Sequence, residues 1–209
     1  MNHILSGCSV ALAQGRYTWR HNKVLNELAY WVEEQRRVNN KEPVRKRTWI
    51  NFVKQGGKAR PSTRTTESYM TTARDWKLQV DGKTRMKIPE YIVNTSLRPD
   101  MVLISEITKQ IGVVELTVPT EDRIEISGEI KQTKYAELLE SMKSNGWKAR
   151  IWTVEVGCRG FAARSVLQFL KDIGYDGRKK KMIIKKIEEV AEQASHKIWN
   201  WSHAKAWGE

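Results

Sequence analysis

The sequence predicts one α/β domain built on a mixed β-sheet flanked by helices and ending in a long basic helix, and three observations carry this. Two β-branched runs, MVLIS (101–105) and IGVVELTV (111–118), stand either side of a short polar stretch, as the strands of a hairpin do. A third run, KARIWTVEVG (148–157), follows a segment of helical periodicity, the order expected of a crossover to a parallel neighbour. The 209 residues suffice for one sizeable core, and nine tryptophans argue for a packed chain rather than a disordered basic one.

In TWRHNKVLNELAYWVEEQRR, Val24, Leu28, Trp31 and Val32 recur at helical spacing and predict a first helix over 19–37, ended by Arg36 and Arg37. Residues 38–66 hold Asn39-Asn40, Gly56-Gly57, Pro43, Pro61 and eight Lys or Arg, and read as a mobile basic insert with a short strand near Thr48–Phe52. Period-two alternation begins in WKLQVDGKTRM (76–86), with a turn at Asp81-Gly82. Residues 76–118 are thus a meander whose polar turn is Glu106–Lys109. SGEIKQTKYAELLESMKSNGW predicts a helix capped by Ser127 and stopped by Gly146, with Ile130, Tyr135, Leu138 and Met142 on its apolar side. KARIWTVEVG is then a buried strand, FAARSVLQFLKDIG (161–174) a helix stopped at Gly174, and residues 178–207 a final basic helix.

Charge narrows the function classes. Lys and Arg number 37 against 24 Asp and Glu, a net charge of +13, which attracts a polyanion and speeds its encounter. Nucleic acid is the first partner this implies. No window reaches the roughly 20 apolar residues of a membrane span, and the N-terminus lacks the layout of a signal peptide. Two cysteines, Cys8 and Cys158, make no disulfide framework; a soluble protein of a reducing compartment is expected.

Within the meander, Asp100 and Glu115 stand alone among apolar residues. In VVELTV the side chains alternate, so Val113, Glu115 and Thr117 share one face and Val114, Leu116 and Val118 the other. Glu115 therefore points away from the apolar side. If the preceding strand pairs antiparallel, Asp100 lies at the same sheet end. Two carboxylates converging there repel unless a cation sits between them, and Mg²⁺ takes one or two carboxylates together with water and phosphate oxygens. Taken singly, the acids read more readily as a turn Asp after Pro99 and a Glu in a structural ion pair, since buried acids are usually paired.

The order Pro-Asp, hairpin, Glu-x-Thr, then a helix bearing KQTKY resembles the PD-(D/E)xK nuclease core. GRYTWRHNKVL (15–25), RPDMVL (98–103), VVELTVPTED (113–122), KQTKY (131–135) and GWKARIWTVEVGCRGFA (146–162) together resemble the restriction-like endonuclease domain of site-specific non-LTR retrotransposon polyproteins, over roughly residues 3–175. The resemblance implies that Asp100 and Glu115, with the Leu116 carbonyl, hold Mg²⁺ or Mn²⁺. It also implies that Lys131, Lys134 and Tyr135 supply the amine chemistry that Thr117 lacks where the wider superfamily has Lys. Arg20 and His21 would meet a phosphate, while Glu27 and Glu121, the latter beside Asp122, would support the metal.

His3 and Cys8 match the closing half of a Cys-Cys-His-Cys zinc knuckle. Residues 1–18 are accordingly expected to be a shortened remnant and linker with no zinc bound, ahead of a nuclease domain over 19–175 and a basic extension over 176–209. The expected nucleic-acid contacts are Arg45, Lys46, Arg47, Lys58, Arg60, Arg98, Arg159, Arg178, Lys179, Lys180 and Lys181, with Cys158 near the cleft. The expectation is a nuclear, metal-dependent enzyme that nicks a phosphodiester in double-stranded DNA. The alternative is a module of the same fold that binds DNA or RNA without cutting. Target sequence and oligomeric state stay open.

Overall fold

Apolar alternation in the sequence becomes a five-stranded sheet in the computed structural model, which describes residues 3–41, 68–82, 86–202 and 207. A π-helical turn, His3–Gly7, precedes α1 (Ser9–Ala13) and α2 (Arg16–Lys41). The strands β1 (Lys77–Val80), β2 (Met101–Ser105) and β3 (Gln110–Thr117) follow, then α3 (Ile124–Ser144), β4 (Lys148–Gly157), β5 (Phe161–Ala162), α4 (Arg164–Ile173) and α5 (Gly177–Asn200).

The strands lie in sequence order. Pairs β1–β2, β2–β3 and β4–β5 are antiparallel; β3 and β4, joined through α3, are parallel. The mixed α/β sheet expected from the sequence is therefore present.

Both faces of the sheet are covered, unlike the one-sided arrangement that the alternation in VVELTV implies. Met101, Leu103, Val114, Leu116, Trp152, Val154 and Val156 pack against α2, α4 and α5. Val102, Ile104, Ile111 and Val113 pack instead against Tyr135, Leu138 and Met142 of α3. Glu115 belongs to this second face, so it enters a packed layer rather than facing solvent.

Several element boundaries differ from those expected, each for a local reason. Helix α2 runs on to Lys41 because Asn39 and Asn40, which look like a breaker, donate side-chain hydrogen bonds to the carbonyls of Ala73 (2.8 Å) and Trp76 (2.9 Å). Ser127 caps nothing: a 3₁₀ turn at Glu121–Arg123 leads straight into α3, which starts at Ile124. Ile130 is 58% exposed on the outer side of α3. Gly146, at φ +82°, ends that helix as expected, with Trp147 N–H donating to the Met142 carbonyl.

Phe161 and Ala162 form a short strand rather than helix, folded back on β4 by Gly160 at φ +90°. Residues 86–100 carry turns and no strand, and they place Met86, Ile88, Ile92 and Val93 in the α3-side core. The strand expected near Thr48–Phe52 lies outside the described residues. None of the described helices is long and apolar enough to cross a membrane.

A candidate metal centre at the end of the sheet

Register brings the two acids together. With Met101 opposite Val114 and Val102 opposite Val113, Asp100 arrives at the lip of β2 beside Glu115. The Asp100 N–H donates to Glu115 Oε2 at 3.3 Å, and Asp100 Oδ2 accepts from Leu116 N–H at 2.7 Å. The second bond fixes the Asp100 carboxylate against the backbone of β3.

Glu115 is 3% exposed, and a carboxylate so buried needs partners. It finds them on α3. Lys131 pairs with Oε1, and the Tyr135 hydroxyl donates to Oε2 at 2.9 Å. The two residues are four apart, so they share one helical face. Burial, with the Glu115 charge beside it, pushes the Tyr135 phenol well above its ordinary range, so it stays protonated and remains a donor.

His21 completes the cluster from α2. Its Nε2 lies 3.3 Å from Asp100 Oδ2 and 3.2 Å from the Leu116 carbonyl oxygen, while Nδ1 lies 3.3 Å from Asn22 Oδ1. Burial depresses the imidazole pKa, but the hydrogen bond and charge of Asp100, helped by Asn22 and the Leu116 carbonyl, outweigh it and leave the pKa raised. Acceptors at both ring nitrogens suit the doubly protonated imidazolium.

Asp100 Oδ2 and the Leu116 carbonyl thus share one proton-bearing nitrogen, and Glu115 holds one ammonium. The His21 imidazole and the Lys131 ammonium sit on an all-oxygen donor set. Hard oxygen donors with two carboxylate charges fit Mg²⁺ or Mn²⁺ better than a softer metal. Among the described residues no group of three or more His, Cys, Asp or Glu side chains is placed to hold a metal ion, so the donor set here consists of two carboxylates and a backbone carbonyl.

The supporting acids are engaged elsewhere. Glu27 accepts from Trp31 Nε1 at 2.8 Å, and six residues from His21 it points roughly 240° further round the helix. Glu121 accepts from the Arg159 backbone N–H (2.8 Å) and from its Nε (2.7 Å). Thr117 lies on the Glu115 face with a buried hydroxyl that has no hydrogen-bond partner among the described residues.

Arg20 corrects its expected role. It is 3% exposed, and its guanidinium donates to the Leu5 carbonyl (2.9 Å), Ser195 Oγ (3.2 Å) and the Val118 carbonyl (3.1 Å). It clamps the N-terminal turn, α5 and the end of β3, with no surface left for a phosphate. Burial lowers its pKa from the usual arginine range.

Lys134 is exposed, with its ammonium 4.9 Å over the Tyr135 ring and 3.5 Å from that hydroxyl. Arg98 is tied to Asp81 at 2.7 Å, and Arg159 to Glu121. On α5, Arg178, Lys179 and Lys181 are exposed and Lys180 is half-buried; Lys179 reaches Glu34 at 3.3 Å. His3 is exposed, and the half-buried Cys8 gives its backbone N–H to the Tyr17 hydroxyl at 3.0 Å. Cys158 is buried beneath α5, its carbonyl accepting from Ser195 Oγ. Arg45, Lys46, Arg47, Lys58 and Arg60 lie outside the described residues.

One buried acid was not singled out from the sequence. Glu155 of β4 is 4% exposed and stands opposite Thr117 in the parallel register. Its signal was available: TVEVG places Thr153 and Glu155 on one face of a strand, as VELTV does for Glu115 and Thr117.

Comparison of the chain with protein-family models and with curated proteins finds no match.

Proposed function

We propose that the chain is a divalent-metal-dependent endonuclease with a PD-(D/E)xK-like core that nicks a phosphodiester bond in DNA. The reading is supported above all by one observation: the Asp100 carboxylate, the Leu116 carbonyl and the Glu115 carboxylate form an oxygen set on which the His21 imidazole and the Lys131 ammonium already sit. Asp100, Glu115 and the Leu116 carbonyl would hold Mg²⁺ or Mn²⁺. When bound, the ion supplies Lewis acidity toward a water and toward the phosphate.

The chain's own residues do the rest. Asp100 is held against the Leu116 N–H and Glu115 under the Tyr135 hydroxyl, so the donor oxygens are fixed before any ligand arrives. Among the described residues Lys134 has no carboxylate partner, which leaves its ammonium to stabilise negative charge that builds on the phosphate. The exposed cations of α5 add long-range attraction for the DNA backbone.

A second reading keeps the fold and removes the cutting. Thr117 stands where the superfamily has a strand lysine and bears no charge, which favours a module that binds DNA without cleaving it.

The test is relaxation of supercoiled plasmid. The nuclease nicks with Mg²⁺ and not with EDTA, and Asp100→Ala or Glu115→Ala abolishes nicking while circular dichroism stays native. Lys134→Ala slows the rate by orders of magnitude at saturating DNA, since it acts on the transition state. A parent that binds plasmid but never nicks it establishes the binding module instead. Near-parental nicking by either carboxylate variant refutes the metal assignment.

A further inference from the structure

A buried carboxylate oxygen with no partner is expensive in free energy, and one stands among the described residues. Glu155 is 4% exposed, and its Oε1 accepts no hydrogen bond from any described residue. It lies in a space kept open by a glycine. A Cβ built on Gly128 of α3 would stand 3.0 Å from Glu155 Oε1 and 3.3 Å from its carboxyl carbon. Glycine within a helix costs about 1 kcal/mol relative to alanine, and the close approach of this carboxylate is the physical reason for it here.

The position relative to Glu115 gives the empty acceptor a use. Glu115 lies opposite Thr153, and Thr117 opposite Glu155, so the two glutamates share a sheet face one diagonal apart, roughly 8 Å between Cα atoms from strand rise and spacing. Lys131 is one turn beyond Gly128 on the same side of α3. Its ammonium now pairs with Glu115. A divalent ion arriving at Glu115 must displace that ammonium, and the buried Glu155 carboxyl on the same face has an oxygen left without a partner among the described residues. A lysine ammonium on a four-carbon stem can change partner by rotamer alone.

We propose that Glu155 is a positioning residue that receives the Lys131 ammonium when a divalent cation takes Glu115. The inference rests on the metal reading above and adds a partner exchange to it. Lys131 is then a stand-in cation in the metal-free chain and a neighbour of the ion in the loaded one. Glu155 lowers the cost of loading because the displaced charge exchanges one carboxylate for another. Gly128 keeps the receiving space open, and Thr117 Oγ1, also buried and unpartnered, borders the same strand pair.

The experiment is a calorimetric Mn²⁺ titration without DNA, which reads binding rather than turnover. Glu155→Gln keeps the shape and removes the charge, and it should weaken Mn²⁺ binding about tenfold, as expected when a charge-assisted hydrogen bond is lost. In a Lys131→Met background, where no ammonium has to move, Glu155→Gln should change the affinity less than twofold. Gly128→Ala, which presses a methyl toward the receiving carboxylate, tests the same step without touching an acid and should weaken Mn²⁺ binding severalfold; it stands in should Glu155→Gln fold poorly.

Equal weakening by Glu155→Gln in both backgrounds, with loss of one bound ion per chain, overturns the exchange and makes Glu155 a direct ligand. Parental affinity in Glu155→Gln and Gly128→Ala alike overturns it as well and leaves a purely structural acid. Failure of the metal reading itself looks different: the parent then takes up no Mn²⁺, or binds it equally after Asp100→Ala.

Discussion

Tyr135→Phe isolates a single hydrogen bond inside the candidate site. The hydroxyl is wholly buried and donates to Glu115 Oε2 at 2.9 Å, and the ring sits in the core beneath α3. Phenylalanine keeps the ring, so packing is nearly unchanged and the effect belongs to the oxygen. Without it, Oε2 retains, among the described residues, the Asp100 N–H at 3.3 Å. A hydrogen bond to a charged group contributes about 1.5–3 kcal/mol, and the lower desolvation cost of the Phe ring offsets part of this. A net loss of about 1–2 kcal/mol follows, or a melting midpoint about 3–6 °C lower for a chain of this size. Urea denaturation of the metal-free protein measures it. Tyr175→Phe is the comparison, because its hydroxyl donates chiefly to the neutral Trp31 carbonyl at 2.7 Å and reaches the Glu34 carboxylate only at 3.4 Å, so its loss should cost about 1 kcal/mol. A Tyr135→Phe protein as stable as the parent would show that Glu115 does not depend on the phenol and would refute the reasoning.

Arg20→Ala should destabilise by at least about 3 kcal/mol, since it removes the buried donor to the Leu5 and Val118 carbonyls and to Ser195 Oγ, whereas exposed Arg178→Ala should change stability by no more than about 0.5 kcal/mol; denaturant midpoints compare them. The His21 pKa is raised in the folded chain, so its contribution is complete below the unfolded value of 6.5 and is lost as pH rises through the folded one. Metal-free parent should therefore lose stability relative to His21→Gln as pH rises above the unfolded value of 6.5, and parallel pH profiles for the two would contradict this. DNA affinity should fall steeply with salt. Arg178→Ala combined with Lys181→Ala should flatten the log–log slope by about 0.9 for each phosphate contact removed, and an unchanged slope would take α5 out of the interface.

The β-branched and alternating runs were enough to place β2, β3 and β4 and, given antiparallel pairing, to put Asp100 at the same sheet end as Glu115, because a strand's alternation determines which residues share a face; the register itself came from the fold. It was silent on the second layer. The roof over Glu115 comes from α3, and a helix 20 residues away in sequence leaves no mark on VVELTV itself. Charge misled at Arg20: a guanidinium has the same letter whether it meets a phosphate or three internal acceptors, and only the fold shows that Leu5, Val118 and Ser195 converge on it. The same limit hid the length of α2, since Asn39 and Asn40 break a helix in isolation but extend this one by bonding to Ala73 and Trp76. Glu155 was legible in principle from its setting between valines. Its significance lay in an empty acceptor beside Gly128, and that is a property of packing alone.

The account turns on a divalent cation replacing His21 and Lys131 at the Asp100, Leu116 and Glu115 oxygens, and a Mn²⁺ titration of parent, Asp100→Ala and Glu115→Ala proteins tests it most directly. Saturable binding in the parent that is lost in both variants, all three melting cooperatively, is the predicted result. Mn²⁺ binding of equal affinity in all three would contradict it, since the ion would then lie elsewhere on the chain.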